Sequence, residues 1–147
     1  MRFSTFRALT GILGLAVLSG PAQAESFTLF IYEAPSQMAL RDDPGEAGQT
    51  YWAGYNQFAA NLMQAGVLRG GTALNPRDIT TLDTSGRRAG TYGASDRILG
   101  GYFVIETSDM SAAEALARQA PAVLTGAIEI HRNAPNPTQS AGMTATH

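Results

Sequence analysis

The sequence predicts an α+β fold of the ferredoxin-like type, an antiparallel sheet with helices on one face. Segments with strand and helix patterns follow one another as strand, helix, hairpin, strand, helix, strand. One segment carries an apolar stripe of helical period, and the last segment alternates apolar and polar residues. Since two helices cover only one face of such a sheet, we expect a second copy of the chain to cover the other face.

The first strand and the first long helix are predicted by composition and spacing. Ser26–Glu33, SFTLFIYE, is rich in aromatic and β-branched residues, which favours a central strand. Glu46–Ala65 predicts a helix, and Gly66 supplies its left-handed stop. The helix carries an apolar stripe formed by Tyr51, Tyr55, Phe58 and Leu62. This spacing favours a stripe that faces the core over a set of aromatic ligand contacts.

The second half of the chain predicts a hairpin, a strand, a helix and a closing strand. Two short extended segments flank the turn Thr84–Gly86, and Gly100–Thr107 predicts the next strand. Ser108–Ala120 predicts a helix that Pro121 ends. Thr125–Arg132, TGAIEIHR, alternates and predicts the last strand.

The predicted second helix also carries a capping pattern. Ser111 is the expected N-cap, and Glu114, three residues later, is its expected capping-box partner. The apolar residues of this segment share one face, which should pack on the sheet.

Both ends of the chain are predicted to lie outside the folded domain. Residues 1–24 combine a basic start, the apolar run Ala8–Leu18 and a small-x-small pattern. This predicts a signal peptide cleaved after Ala24, because the apolar run is too short for a membrane span. Residues 25–132 are expected to form the α+β domain, and 133–147 a disordered C-terminal tail. The mature protein is therefore expected in a bacterial periplasm or secreted.

Composition excludes several function classes. All ten basic residues are arginine, and cysteine is absent. Removing the predicted signal peptide leaves 8 Arg against 12 Asp plus Glu, a net charge of −4. We therefore expect no nucleic-acid partner and, after signal cleavage, no membrane partner. The lack of lysine excludes Schiff-base chemistry, and a domain with His131 as its only histidine offers no histidine-rich metal site. We expect neither a metal nor a cofactor.

Two ionisable residues, Glu33 and His131, are candidate catalytic residues. Glu33 directly follows an apolar strand, where a carboxylate suits proton transfer or ligand anchoring; the alternative is a strand-end acid paired with an arginine such as Arg69. His131 has Glu129 two residues away on the same strand face, which suits general acid or base catalysis. A histidine at a solvated or dimer edge is the favoured alternative. A cation held by Glu33, Glu129 and His131 is disfavoured, because no ligand-spacing motif supports it.

Four segments, in this order and spacing, resemble the YCII-related domain family and its DGPF branch. They are LFIYE, AGVLRGGTAL, LGGYFVIE and GAIEIHR, within residues 27–132. The resemblance implies a ferredoxin-like subunit that dimerises into an α/β barrel. It also implies a small pocket between the sheet and the surrounding loops. The biochemical activity of this family is not settled.

The chain departs from the DGPF branch at its signature. The Asp-Gly-Pro-Phe motif falls on Ala89–Tyr92, so alanine replaces the acid while an aromatic residue remains. Asp96 and Arg97 follow closely, and they replace the missing acid only if the loop folds differently. We therefore predict that Tyr92 forms a pocket wall and that this loop does not carry catalysis.

The leading hypothesis is an exported homodimer that binds a small organic molecule. The residues expected to contact it are Glu33, Arg69, Tyr92, Asp96, Arg97, Glu129 and His131. One alternative is an enzyme that performs acid/base proton transfer with Glu33 or His131 as the base. A second alternative is a protein-interaction module whose dimer surface is the function.

Overall fold

The computed structural model describes residues 23–93 and 95–135. The predicted signal peptide, apart from its last two residues, and the predicted tail beyond residue 135 lie outside this part of the chain. Across the described ranges, no helix has both the length and the apolar character that a membrane crossing needs.

Six strands and four α-helices make up the described chain. The strands are β1 (Glu25–Glu33), β2 (Leu68–Ala73), β3 (Thr80–Asp83), β4 (Gly86–Ala89), β5 (Ile98–Thr107) and β6 (Gly126–Arg132). The helices are α1 (Pro35–Ala39), α2 (Glu46–Gln64), α3 (Met110–Ala117) and α4 (Ala122–Thr125), with a 3₁₀ turn at Leu40–Asp42 after α1. The order of the strands and of the two longer helices follows the prediction except at β2, a strand that the sequence pattern did not predict because Gly70 and Gly71 have low strand propensity.

A four-stranded antiparallel sheet in the order β2-β5-β1-β6 forms the centre of the fold. β1 is paired on both sides, with Leu29 opposite Phe103 of β5 and Ile130 of β6. Numbered along the chain, the four strands lie in the order 2-3-1-4, which is that of a ferredoxin-like sheet. The predicted α+β class is therefore confirmed.

The predicted hairpin forms a separate two-stranded sheet. β3 pairs antiparallel with β4 from Thr80 opposite Ala89 to Asp83 opposite Gly86. The Asp83 carboxylate accepts a hydrogen bond from the Ser85 backbone N–H at 2.8 Å, which holds the turn. We call this pair of strands the hairpin arm; it is inserted between β2 and β5.

The core lies between one face of the main sheet and the helices. β1 directs alternate side chains to this face, and Phe27 and Leu29 are fully buried there. The remaining buried members of the cluster are Phe58, Leu62, Ile105, Ala113, Ala117 and Ala120. Phe58 and Leu62 of the predicted α2 stripe thus face the core. The other two stripe residues, Tyr51 and Tyr55, contact Glu33 instead.

The opposite face of the sheet carries no member of this buried core among the described residues. It presents the half-buried side chains of Phe30, Tyr102 and Val104, and the exposed side chains of Glu129 and His131. The ring of Phe30 meets that of His131 edge-on at 5.2 Å between centroids, so both lie on this side. We call it the open face.

The start of α3 differs from the prediction. Asp109 is the N-cap, and its carboxylate accepts a hydrogen bond from the Ala112 backbone N–H at 2.8 Å. The predicted Ser111 cap is wrong because the chain leaving β5 is still extended at Asp109, with φ −165° and ψ 177°. α3 also ends at Ala117, so Pro121 precedes α4 and does not terminate α3.

Candidate functional site

Glu33 ends β1 and is fully buried on the helical side of the sheet. Its Oε2 accepts hydrogen bonds from Arg41 Nη2 at 2.9 Å and from the Tyr51 hydroxyl at 2.8 Å. Its Oε1 accepts one from the Tyr55 hydroxyl at 2.7 Å. Both carboxylate oxygens therefore have partners, as a buried charge requires.

Arg41, in the 3₁₀ turn, is the cation that compensates Glu33. Its Nε donates to the Tyr51 hydroxyl at 2.7 Å, and its Nη1 to the Leu74 carbonyl at 2.9 Å. Its Nη2 also donates to the Gly100 carbonyl at 2.8 Å. The guanidinium thus joins the 3₁₀ turn to β1, α2, β5 and the segment after β2, in a fixed planar geometry that lysine cannot supply.

The two tyrosines of this cluster are hydrogen-bond donors at neutral pH. Burial raises the pKa of Tyr51 to about 12, and its hydrogen bond to Glu33 acts in the same direction. Burial, followed by the hydrogen bond to Glu33, raises the pKa of Tyr55 as well. Both phenols consequently keep their protons and direct them at the Glu33 carboxylate.

Gly100 leaves the space that the ion pair occupies. A Cβ at this position would lie 2.6 Å from Arg41 Nη2 and 2.7 Å from Glu33 Oε2. The β1–β5 register shifts here, between Ile31 and Tyr32, so the strand carries a bulge at this point. The first glycine of the Gly100-Gly101 pair therefore lies inside β5 and allows the side chains to approach its backbone.

A pocket of about 150 Å³ lies beside this cluster, between α2 and the β2–β5 side of the sheet. We call it the helix pocket. Its lining is formed by Ile31, Arg41, Tyr51, Trp52, Tyr55, Asn56, Ala59, Thr72, Ala73, Gly100, Gly101, Tyr102 and Phe103. Glu33 does not line the pocket itself, but its three hydrogen-bond donors do.

A larger pocket of about 600 Å³ lies between the hairpin arm, the loop that leads into β5, and the sheet. We call it the hairpin pocket. Its lining is formed by Tyr32, Leu74, Asn75, Asp78, Ile79, Thr80, Thr91, Tyr92, Gly93, Ser95, Arg97 and Leu99. Tyr92 and Arg97, both predicted ligand contacts, lie here, whereas Asp96 is exposed and is not one of the lining residues.

Tyr32 connects the hairpin pocket to the open face. Its pKa is raised, first by partial burial and then by the nearby negative charge of Glu129. Glu129 in turn lies 3.2 Å from His131, measured from Oε2 to Nε2. Tyr32, Glu129 and His131 therefore share the open face of the sheet, with Tyr32 at the pocket.

The sheet divides the remaining predicted site residues. Glu33 faces the helices, while Glu129 and His131 lie on the open face, so these three side chains do not meet. Arg69 pairs with Glu106 at 2.7 Å in an exposed ion pair, and Arg41 is the arginine that pairs with Glu33. In the described residues, no group of three or more acidic or histidine side chains is arranged to hold a metal ion.

The Arg41, Tyr51 and Tyr55 contacts to Glu33 were not predicted from the sequence. The tyrosines belong to a stripe whose spacing indicates only that it faces the core. The available signal is that two positions of the stripe are tyrosine and not phenylalanine, because a buried hydroxyl needs a hydrogen-bond partner. A nearby acid such as Glu33 is the natural acceptor.

The chain matches no known protein-family model and no curated protein. Among solved structures it is similar to 5-chloro-2-hydroxyhydroquinone dehydrochlorinase (TftG) from Burkholderia phenoliruptrix AC1100, in complex with 2,5-dihydroxybenzoquinone. The two chains share 17% sequence identity with a TM-score of 0.46, over 77% of this chain and 97% of that chain. Neither the activity nor the ligand of that enzyme is carried over to this chain.

Proposed function

We propose that this protein is a small-molecule-binding module of the YCII-like class, with the hairpin pocket as its ligand site. The observation that carries the proposal is the pocket itself, about 600 Å³ between the arm and the sheet. This volume suits a small organic ligand, and the mixture of apolar walls with a few polar groups is typical of such sites.

The side chains of the hairpin pocket favour a small organic acid as the ligand. Arg97 forms no ion pair with any other described residue, so its guanidinium is available to a ligand carboxylate. Leu99 and the aromatic rings of Tyr32 and Tyr92 supply apolar surface for the body of the ligand. Asp78, on the same lining, favours a hydroxyl or amino group on that ligand.

We also propose that the protein works as a homodimer and forms the α/β barrel that its resemblance to the YCII-related family implies. Phe30, Tyr102 and Val104 on the open face are the support, because apolar side chains on a sheet face are usually covered. A second copy on this face would also lie over Tyr32 and so close the inner side of the hairpin pocket.

Export is part of the same proposal. The pattern of residues 1–24 supports a signal peptide removed after Ala24, and the mature chain would then consist of the domain at 25–132 and the tail at 133–147. The protein would act in the periplasm or outside the cell.

Proton-transfer catalysis is the second candidate function. The position of Tyr32 at the hairpin pocket, on the same sheet face as Glu129 and His131, favours it. In this function Tyr32 gives or takes a proton at a ligand in the hairpin pocket, and the Glu129–His131 pair holds the compensating charge. Glu33 is less suited to act as the base, because both its oxygens already accept hydrogen bonds and it lines neither pocket.

Native mass spectrometry of the mature chain tests the binding proposal. We expect a dimer that retains a small ligand, and at least about tenfold lower ligand occupancy in Arg97→Gln. The matched control is Arg118→Gln, an exposed arginine of the segment after α3, which should retain the ligand. Equal occupancy in both variants would contradict the assignment of the hairpin pocket.

A second measurement separates binding from catalysis. In Tyr32→Phe, a catalytic site should lose conversion of the retained compound while the compound still binds. A pure binding module should show no conversion in the wild type. A dimer without any retained ligand would favour the interaction-module alternative.

A further inference from the structure

We infer that the helix pocket is a second ligand site, specific for a neutral single-ring organic molecule that carries a hydroxyl group. The site is independent of the hairpin pocket, because the two share no lining residue and lie on opposite sides of the sheet.

The size of the helix pocket defines the body of the ligand. Its volume is about 150 Å³, and a cavity of about 150 Å³ lined by apolar side chains is large enough to bind benzene. Ile31, Ala59 and Phe103 supply apolar surface, and Trp52 supplies a large aromatic ring. One flat ring therefore fills the space, whereas a fused two-ring compound exceeds it.

The charges at the pocket exclude an ionic ligand. Glu33 and Arg41 already neutralise each other, with side chains that are 1% and 11% exposed. A carboxylate or ammonium group brought into the pocket would compete for one partner and leave the other as an uncompensated buried charge. The ligand that this arrangement accepts is uncharged.

Tyr55 is the group that recognises a hydroxyl. Its hydroxyl proton is donated to Glu33 Oε1, so its oxygen lone pairs are available to a donor in the pocket. Because its pKa is raised, the phenol stays neutral and acts as an acceptor without adding charge. An O–H group on the ring of the ligand is therefore preferred over a bare ring.

Phenol titration followed by NMR tests this site, with the single tryptophan as reporter. Trp52 lines the pocket, and its indole N–H donates to the Arg41 carbonyl at 3.2 Å. We expect phenol to shift the one indole N–H resonance in a saturable manner, and benzoate to bind at least about tenfold more weakly. Benzoate binding as tight as phenol, or no saturable shift with phenol, would overturn the inference.

Two leucine substitutions on α2, one in the pocket and one on the exposed surface, provide a test variant and its matched control. Ala59→Leu fills the pocket and should weaken phenol binding by about tenfold or more, whereas Ala60→Leu, at an exposed position, should leave it unchanged. Arg97→Gln should also leave phenol binding unchanged, since that residue belongs to the hairpin pocket. Equal phenol affinity in the two leucine variants would contradict the site.

A third variant tests the site even if Ala59→Leu does not fold. Tyr55→Phe should weaken phenol binding about fivefold, the value of one hydrogen bond, and leave benzene binding unchanged. Parallel weakening of both compounds, or of neither, would remove Tyr55 as the recognition group. Unchanged ligand occupancy in Arg97→Gln, together with the expected phenol results, would contradict the proposed function and leave this second site standing.

Discussion

The Glu33 carboxylate and the Arg41 guanidinium lie 2.9 Å apart, and neither is substantially exposed to water. Glu33→Gln removes the anion and leaves Arg41 as a buried charge without compensation. We expect the free energy of unfolding to fall by about 3–5 kcal/mol, measured by urea denaturation. The control is Glu106→Gln in the exposed pair with Arg69, which should cost less than about 1 kcal/mol. Equal losses in the two variants would contradict a structural role for the buried pair.

The two tyrosines that donate hydrogen bonds to Glu33 make the free energy of unfolding depend on pH in the alkaline range. The pKa of Tyr51 is about 12 in the folded protein and 10.0 as its ordinary value, so the folded state holds the proton more tightly. This contribution is complete below about pH 10 and is lost as the pH rises towards 12. Urea midpoints should therefore fall between about pH 10 and pH 12. The decline should be shallower in Tyr51→Phe, and an unchanged slope would contradict the assignment.

Single residues were predicted in part. Glu33 is recognisable because an acid directly after an apolar strand is unusual, and it is indeed buried. Its partners could not be predicted, because Arg41 lies in a loop without periodicity and the tyrosines follow the same spacing as Phe58 and Leu62. Spacing indicates which face of a helix is buried, but not which hydroxyl finds an acceptor there.

At the scale of elements, the bulge in β5 places Gly100 beside the Arg41–Glu33 pair, where any side chain would collide with it. Gly100→Ala places a Cβ within 2.7 Å of both charged groups, so the pair or the strand must shift. We expect a loss of about 1–3 kcal/mol in the free energy of unfolding. Gly70→Ala in β2 is the matched control, because nothing lies within 4 Å of its Cβ position. A larger loss for the control would show that strand propensity, and not contact with the pair, decides the effect.

Helices and strands were predicted well where their periodicity is long, and less well at their ends. The nineteen residues of α2 make about five turns and carry the four-residue stripe. Its start at Glu46 and its stop at Gly66, with φ 71°, follow from that pattern. α3 has only eight residues, and three residues with capping side chains, Ser108, Asp109 and Ser111, stand near its start. Which one caps depends on the backbone that leaves β5, a tertiary property that local pattern does not contain.

At the scale of the whole molecule, the open face is the proposed dimer interface. Val104→Arg introduces a charge at its apolar centre and should convert the mature protein to a monomer, measured by analytical ultracentrifugation. Gln57→Arg, an exposed position on α2, should leave the dimer intact. A monomeric wild-type protein at high concentration would contradict the dimer directly.

The fold class was predictable because the order of the elements and the alternation of the strands leave few arrangements of an antiparallel sheet. The sequence did not predict that the sheet separates Glu33 from the other expected ligand contacts. Tyr92 and Arg97 were expected beside Glu33, but the position of the hairpin arm depends on contacts distant in sequence. Such contacts decide which face of the sheet a loop approaches, and no short segment encodes them.

Successive side chains of β1 point in opposite directions, and this has a consequence at Tyr32 and Glu33. Although a single peptide bond joins them, one borders the chamber under the arm and the other anchors the groups of the chamber beneath α2. A substitution that changes one chamber therefore need not alter the side chains that line the other.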